Sequence, residues 1–296
     1  MSLSEAQKSL LHQAFIKLDK TSPVLPSPEK ATEDIASVLD ISELINAHKV
    51  HYGAKAERES LLIQIITFRY SVLSLTIRES KGPDFFLLKS FMIQISNSIS
   101  SIVLLTENGF EYQAISQIRN LLELLMMLIV LVESPQKRIE AIKVHNPDEA
   151  RKVWHKYFSK TQFMKLIKKH AGMDSDLVDW IENTYKFLSS FSHNDYANIL
   201  LFSLSDGDDE QTLHLNLLGN CITRKGKIYN NLISAIMPFD IMLFSLLRNE
   251  KIDINMDDLC NVEDDPFHSE LGLTLNTLRD ICMILYADIR NQKEIE

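Results

Sequence analysis

The chain has 296 residues, 45% of them apolar and 24% charged. That is a globular composition, long enough to bury a large core as one elongated helical domain or two lobes. A formal net charge of −9 speaks against a surface that is basic throughout and leaves only a local groove for nucleic acid. Its 8 glycines and 8 prolines favour long helices over many-turned β architecture. The 3 cysteines (Cys221, Cys260, Cys282) have no CxxC spacing, so they suggest neither a disulfide framework nor a zinc knuckle and fit a reducing cytosol.

Residues up to about Lys20 predict a short amphipathic helix. The proline-rich stretch that follows, Pro23, Pro26 and Pro28, predicts an extended linker to about residue 30. Thr32 or Glu33 opens a helix to about His51, and Glu57–Glu79 forms a second that Gly82-Pro83 ends. Phe85–Glu107 is the cleanest amphipathic pattern, with Leu88, Met92, Ile95, Ile99 and Ile102 at three-and-four spacing. Between Gly109 and Pro135 runs a helix apolar almost all the way round that carries Arg119 and Glu123. Its most apolar run, Leu121 to Val132, is about two-thirds of a membrane span and contains Glu123, so it reads as a buried core helix.

A short helix is expected around Lys137 to Val144. Asn146-Pro147-Asp148-Glu149 then combines a cap, a first-turn proline and two acids facing the dipole, predicting one helix that continues to just before Gly172. Asp174 or Ser175 caps another, which buries Trp180, Ile181, Leu188 and Phe191. Residues 199–219 alternate at period two around an acidic tip, fitting either a β-hairpin or an irregular loop. Helices resume at about 226–248, bent at Pro238, and at about 267–290. The expected fold is an all-α multi-helix bundle with long antiparallel helices. Residues 1–30 form an N-terminal helix and linker, and 31–296 a single domain with its core in 57–198 and C-terminal helices in 226–290.

Buried charges must be matched or neutralised, which singles out Arg119 and Glu123, one turn apart on one face. They form either a polar pocket, with Glu123 as base and Arg119 as anion binder, or a structural ion pair that fixes helix register. In the second case Glu123→Ala would cost roughly 3–5 kcal/mol by stranding the arginine. The segment SSFSHNDYAN, 189–198, groups Ser192, His193, Asp195 and Tyr196, the side-chain types of acid–base chemistry, or else a capped helix end with a surface histidine. A basic run around Arg151, His155, Lys165 and Lys169 could contact phosphates or be a solvated face. Nothing suggests a metal or cofactor site: Gly-rich phosphate loops, HExxH and GxSxG are missing, and Asp206–Glu210 lacks calcium-loop spacing.

The series Gly109, Ala114, Arg119-Asn-Leu-Leu-Glu123, Glu133-Ser-Pro135, Tyr185, Leu188-Ser189 and Ser192-His193 resembles a bacterial all-helical family described as a domain of unknown function, distantly HEPN-like. The resemblance spans about residues 85–200. It implies an inward constellation of Arg119, Glu123, Ser192 and His193, with Tyr185. The arginine-to-histidine spacing of HEPN ribonucleases has no counterpart here, since Arg151 and His155 are separated by three residues. The resulting expectation is a cytoplasmic protein that binds itself, as a homodimer, or a partner protein, in phage defence or a toxin–antitoxin system. One alternative is a metal-independent ribonuclease acting on RNA through His193 and Arg119. Another is a small-ligand sensor seated on Arg119 and Glu123, with Tyr185, Asp195 and Tyr196 at the ligand. No membrane association and no cofactor are expected.

Overall fold

The computed structural model describes residues 3–20, 27–38, 54–77, 82–107, 110–170, 175–192, 204–206, 213–215, 222–247 and 266–293. Helix α1 (Glu5–Asp19) starts with a capping box. The Ser4 hydroxyl accepts from the Gln7 amide at 3.2 Å, and Gln7 Oε1 accepts from the Ser4 amide at 2.8 Å. Helix α2 (Pro28–Val38) begins inside the predicted linker. Pro28 occupies a first-turn position, where its missing N–H has no helical partner to lose, and Ser27 Oγ accepts from the Lys30 amide at 3.3 Å. The remainder of the helix expected to His51 lies outside the described residues.

Helices α3 (Ala54–Thr76), α4 (Pro83–Glu107) and α5 (Glu111–Glu133) follow. Their short connections make them antiparallel neighbours. Gly82 has φ +126°, a conformation open to glycine, and a Cβ there would sit 3.0 Å from Asp84 Oδ1. Ser134 is extended, and Pro135 opens α6 (Pro135–Ile142). Asn146 caps α7 (Pro147–Val153) as predicted, its Oδ1 accepting from the Glu149 amide at 2.9 Å.

The single helix expected from 147 to Gly172 is broken. One π-helical turn, Trp154–Phe158, runs into extended Ser159, and α8 (Lys160–His170) starts afresh. After α9 (Ser175–Ser192), strands β1 (Leu204–Asp206) and β2 (Leu213–Leu215) pair antiparallel, with Leu204 opposite Leu215. Within 199–219, where a hairpin or an irregular loop was expected, the described residues are these two paired strands. Helix α10 (Ile222–Leu247) continues through Pro238, and α11 (Pro266–Lys293) closes the chain.

The fold is an all-α bundle. Helix α5 packs against α4, α9 and α10, while α3 packs against α4, α10 and α11, and α1 lies over α3 and α11. Leu121, Leu122, Leu125, Ile129, Leu131 and Val132 of α5 are buried, so the most apolar run is a core helix as read from its sequence. Each such side chain contributes about 1.5–3 kcal/mol by leaving water. By length and composition alone, Pro83–Glu107, Tyr112–Glu133 and Ile228–Leu247 could each cross a membrane.

Helix α4 differs from α5 in what its outer side shows. Leu88, Met92, Ile95, Ile99 and Ile102 face the core, whereas Phe86, Ser90, Ile93, Asn97, Ser101 and Leu104 are exposed. From Ser90 to Thr106 it carries no charged residue, about 25 Å of helix at about 1.5 Å per residue.

Candidate functional site

The polar cluster forms where α5 meets α9. Positions 119 and 123 are one turn apart on α5, and Tyr185 projects from α9, which turns Ile181 and Leu188 into the core. Arg119 Nη2 lies 2.8 Å from Glu123 Oε1. It also donates to the Tyr185 hydroxyl, which in turn donates to Glu123 Oε1 at 3.1 Å. The guanidinium lies over the Tyr185 ring, 4.4 Å from its centroid, and Lys160 Nζ approaches the same ring at 4.9 Å. Tyr185 is thus clasped by two cations and one carboxylate, arranged by α5, α8 and α9.

The environment is intermediate between core and solvent. The Arg119 side chain is 15% exposed and that of Glu123 28%, so the pair sits at a wet seam rather than shut inside the bundle. Its burial is shallower than the apolar helix implied. Partial burial pushes the Tyr185 phenol above its ordinary range, with Arg119 opposing the shift and Glu123 reinforcing it. At neutral pH the hydroxyl is therefore a donor, as its bond to Glu123 requires. Arg119 Nε has no hydrogen-bond partner among the described residues. The cluster can bind an anion or tie two helices together.

Tyr185 therefore joins Arg119 and Glu123. Ser192 is the last residue of α9, one turn beyond Leu188. His193, Asp195 and Tyr196 lie outside the described residues. The end of α9 is fixed by α5: Tyr112 Oη and Ser116 Oγ donate to the Phe191 carbonyl at 2.8 and 3.4 Å. In the basic run, Arg151 and His155 are exposed, and Lys156 pairs with Glu140 at 2.8 Å, the reading of a solvated face. Among the described residues no group of three His, Cys, Asp or Glu side chains comes close enough to hold a metal ion.

The deeply buried charges are others, missed in the sequence. Arg69 of α3 and Asp240 of α10 meet at 2.6 Å with side chains 1% and 4% exposed. Phe244 lies against the guanidinium at 4.2 Å, and Tyr70 and Cys282 complete the surroundings. Burial works against the Arg69 charge, but Asp240 and Cys282 outweigh it and raise the pKa above the usual guanidinium range. For Asp240 burial prevails over the arginine, and the carboxyl is pushed above its ordinary range. A second buried cation, Arg138 of α6, reaches Asp84 Oδ2 at 3.2 Å and the Leu131 carbonyl at 2.8 Å. Tyr229 of α10 donates to Glu107 at the end of α4. The signal for Arg69 was present: it interrupts the apolar face of α3 as Arg119 interrupts that of α5.

Comparison with known proteins places one stretch. Residues 85–183 match a family of unknown function, DUF5677. The match runs from α4 into α9, so it takes in Arg119, Glu123 and Lys160 and stops just before Tyr185. Over that stretch the chain resembles an uncharacterised domain, in line with the resemblance read from its motifs. Neither a curated protein nor a solved structure matches the chain.

Proposed function

We propose that the protein works by docking, as a helical interaction module whose contact surface is the outer side of α4. The observation that carries this is an exposed helix face with no charge from Ser90 to Thr106 in a chain where 24% of residues are charged. On that face Phe86 is 57% and Ile93 42% exposed. Isolated exposed apolar side chains are ordinary, but here Phe86, Ile93 and Leu104 stand in one line on an uncharged face, which supports a contact surface. The Arg119–Tyr185–Glu123 cluster then serves as a latch that fixes α9 on α5. The bacterial origin, the HEPN-like relation and a place in phage defence or a toxin–antitoxin system rest on the short motifs within 85–200. Ile93→Glu tests the docking reading. The variant should keep its thermal melt within about 2 °C, as an exposed substitution does, and lose every association that the wild-type chain shows in quantitative affinity purification. Unchanged association would refute it.

A second reading is favoured by one observation, the two cations set against one carboxylate around Tyr185. It supports recognition of a phosphate-like anion at the α5–α8–α9 seam, and with His193 as acid–base a ribonuclease. His193→Ala should then abolish RNA cleavage while leaving the melt unchanged; cleavage at the wild-type rate excludes that chemistry.

A further inference from the structure

Resting on the docking reading, we infer that the occupant of the α4 face is a second copy of this chain, packed antiparallel about a twofold axis at Asn97. The reason lies in the order of the exposed residues. Ser90, Ile93, Asn97, Ser101 and Leu104 stand at offsets of −7, −4, 0, +4 and +7 from Asn97. At 100° per residue all five fall within about 40° of one line along the helix. A twofold axis through Asn97 maps this set onto itself and pairs each large side chain with a small one. Ile93 faces Ser101 of the mate, and Leu104 faces Ser90, so that knobs meet spaces. Asn97 meets its own mate, and an amide carries both the donor and the acceptor that such a self-pair needs. An amide at the centre of such a seam sets register, as a seam asparagine does in coiled coils.

The surroundings agree with a self-contact. An isologous interface must be self-complementary in charge, and a strip of zero charge meets that condition where the remaining surface, at net −9, would repel. Phe86, 57% exposed, lies one turn before Ser90 on the same line and extends the strip at one end. The uncharged strip, about 25 Å long and about 12 Å wide, covers roughly 300 Å² on each copy. The total of roughly 600 Å² is below the standard size of specific interfaces, so the dimer should be weak and reversible, with a dissociation constant of about tens of micromolar.

Sedimentation of the full chain from about 1 to 100 µM should show a mass moving from 34.0 kDa towards twice that value, and Ile93→Glu should stay at the lower mass with an unchanged melt. Single-cysteine variants joined by a short bis-maleimide fix the register, with the wild type as control for the native cysteines. N97C should cross-link by itself, I93C and S101C should not, and an equal mixture of I93C with S101C should. A parallel pairing would cross-link each variant alone and overturn the proposal. So would a wild-type chain that remains at 34.0 kDa throughout, whether or not it floats with phosphatidylcholine vesicles. A monomer that still loses its partners on Ile93→Glu would remove the second copy but leave the docking reading standing.

Discussion

Removing the carboxylate of Asp240 takes the ion-pair partner away from a guanidinium that is 1% exposed. Arg69 keeps Phe244 against its face, but among the described residues its Nε and Nη2 have no hydrogen-bond partner, and Nη1 donates to Asp240. Asp240→Ala therefore deletes a charge-assisted hydrogen bond of about 1.5–3 kcal/mol and leaves a cation in a medium that solvates it poorly. Together these predict a loss of about 3–5 kcal/mol. The apolar double replacement, Arg69→Met with Asp240→Leu, removes both charges and should fall within about 1 kcal/mol of the wild type or exceed it. Urea denaturation of the four proteins of this cycle, followed by far-UV circular dichroism, gives the numbers. If Asp240→Ala costs less than about 1 kcal/mol, or the double variant is as unstable as the single one, the buried pair does not carry the energy assigned to it.

The wet seam makes a milder prediction. Tyr185→Phe removes the phenol from between Arg119 and Glu123 and should cost about 1 kcal/mol in the same assay. Glu123→Ala should cost about 1–2 kcal/mol, below the figure for a fully buried pair, because water reaches the guanidinium left behind. Cys282 predicts an alkaline limit. Burial pushes its thiol up to about 11 from 9.0, so the folded chain holds that proton more tightly than the unfolded one. The stability it contributes is present below pH 9 and lost as the pH rises towards 11, at most about 3 kcal/mol. Cys282→Ala should flatten that part of the stability curve; an unchanged slope would show that the thiol does not govern it.

Much of the helical frame could be read from the chain because periodicity and caps are local. The Asn146-Pro147 start, the buried stripe of α4 and the apolar core run of α5 depend on residues within two turns of each other. The errors lie where local signals permit two outcomes. Pro28 can end a helix or begin one, and the capping hydroxyl of Ser27 decided for the second. No residue type between Val153 and Lys160 announces the π turn and the break at Ser159. The depth of Arg119 was overestimated because burial depends on which helices cover a face, and that is a tertiary property. For the same reason Arg69 and Asp240, 171 positions apart, could each be suspected but not paired. Tyr185 was within reach only through its family resemblance, since nothing local to α9 directs it at α5.

Hydroxyl-radical footprinting of the full chain at about 100 µM tests the α4 surface most directly. Reference rates come from Leu273 and Ile241, 51% and 43% exposed on other helices. If α4 is the docking face, Ile93 and Phe86 will be oxidised several-fold more slowly than those references and will recover full reactivity on dilution or in the N97E variant. Reactivity in proportion to their exposure, independent of concentration, would contradict it.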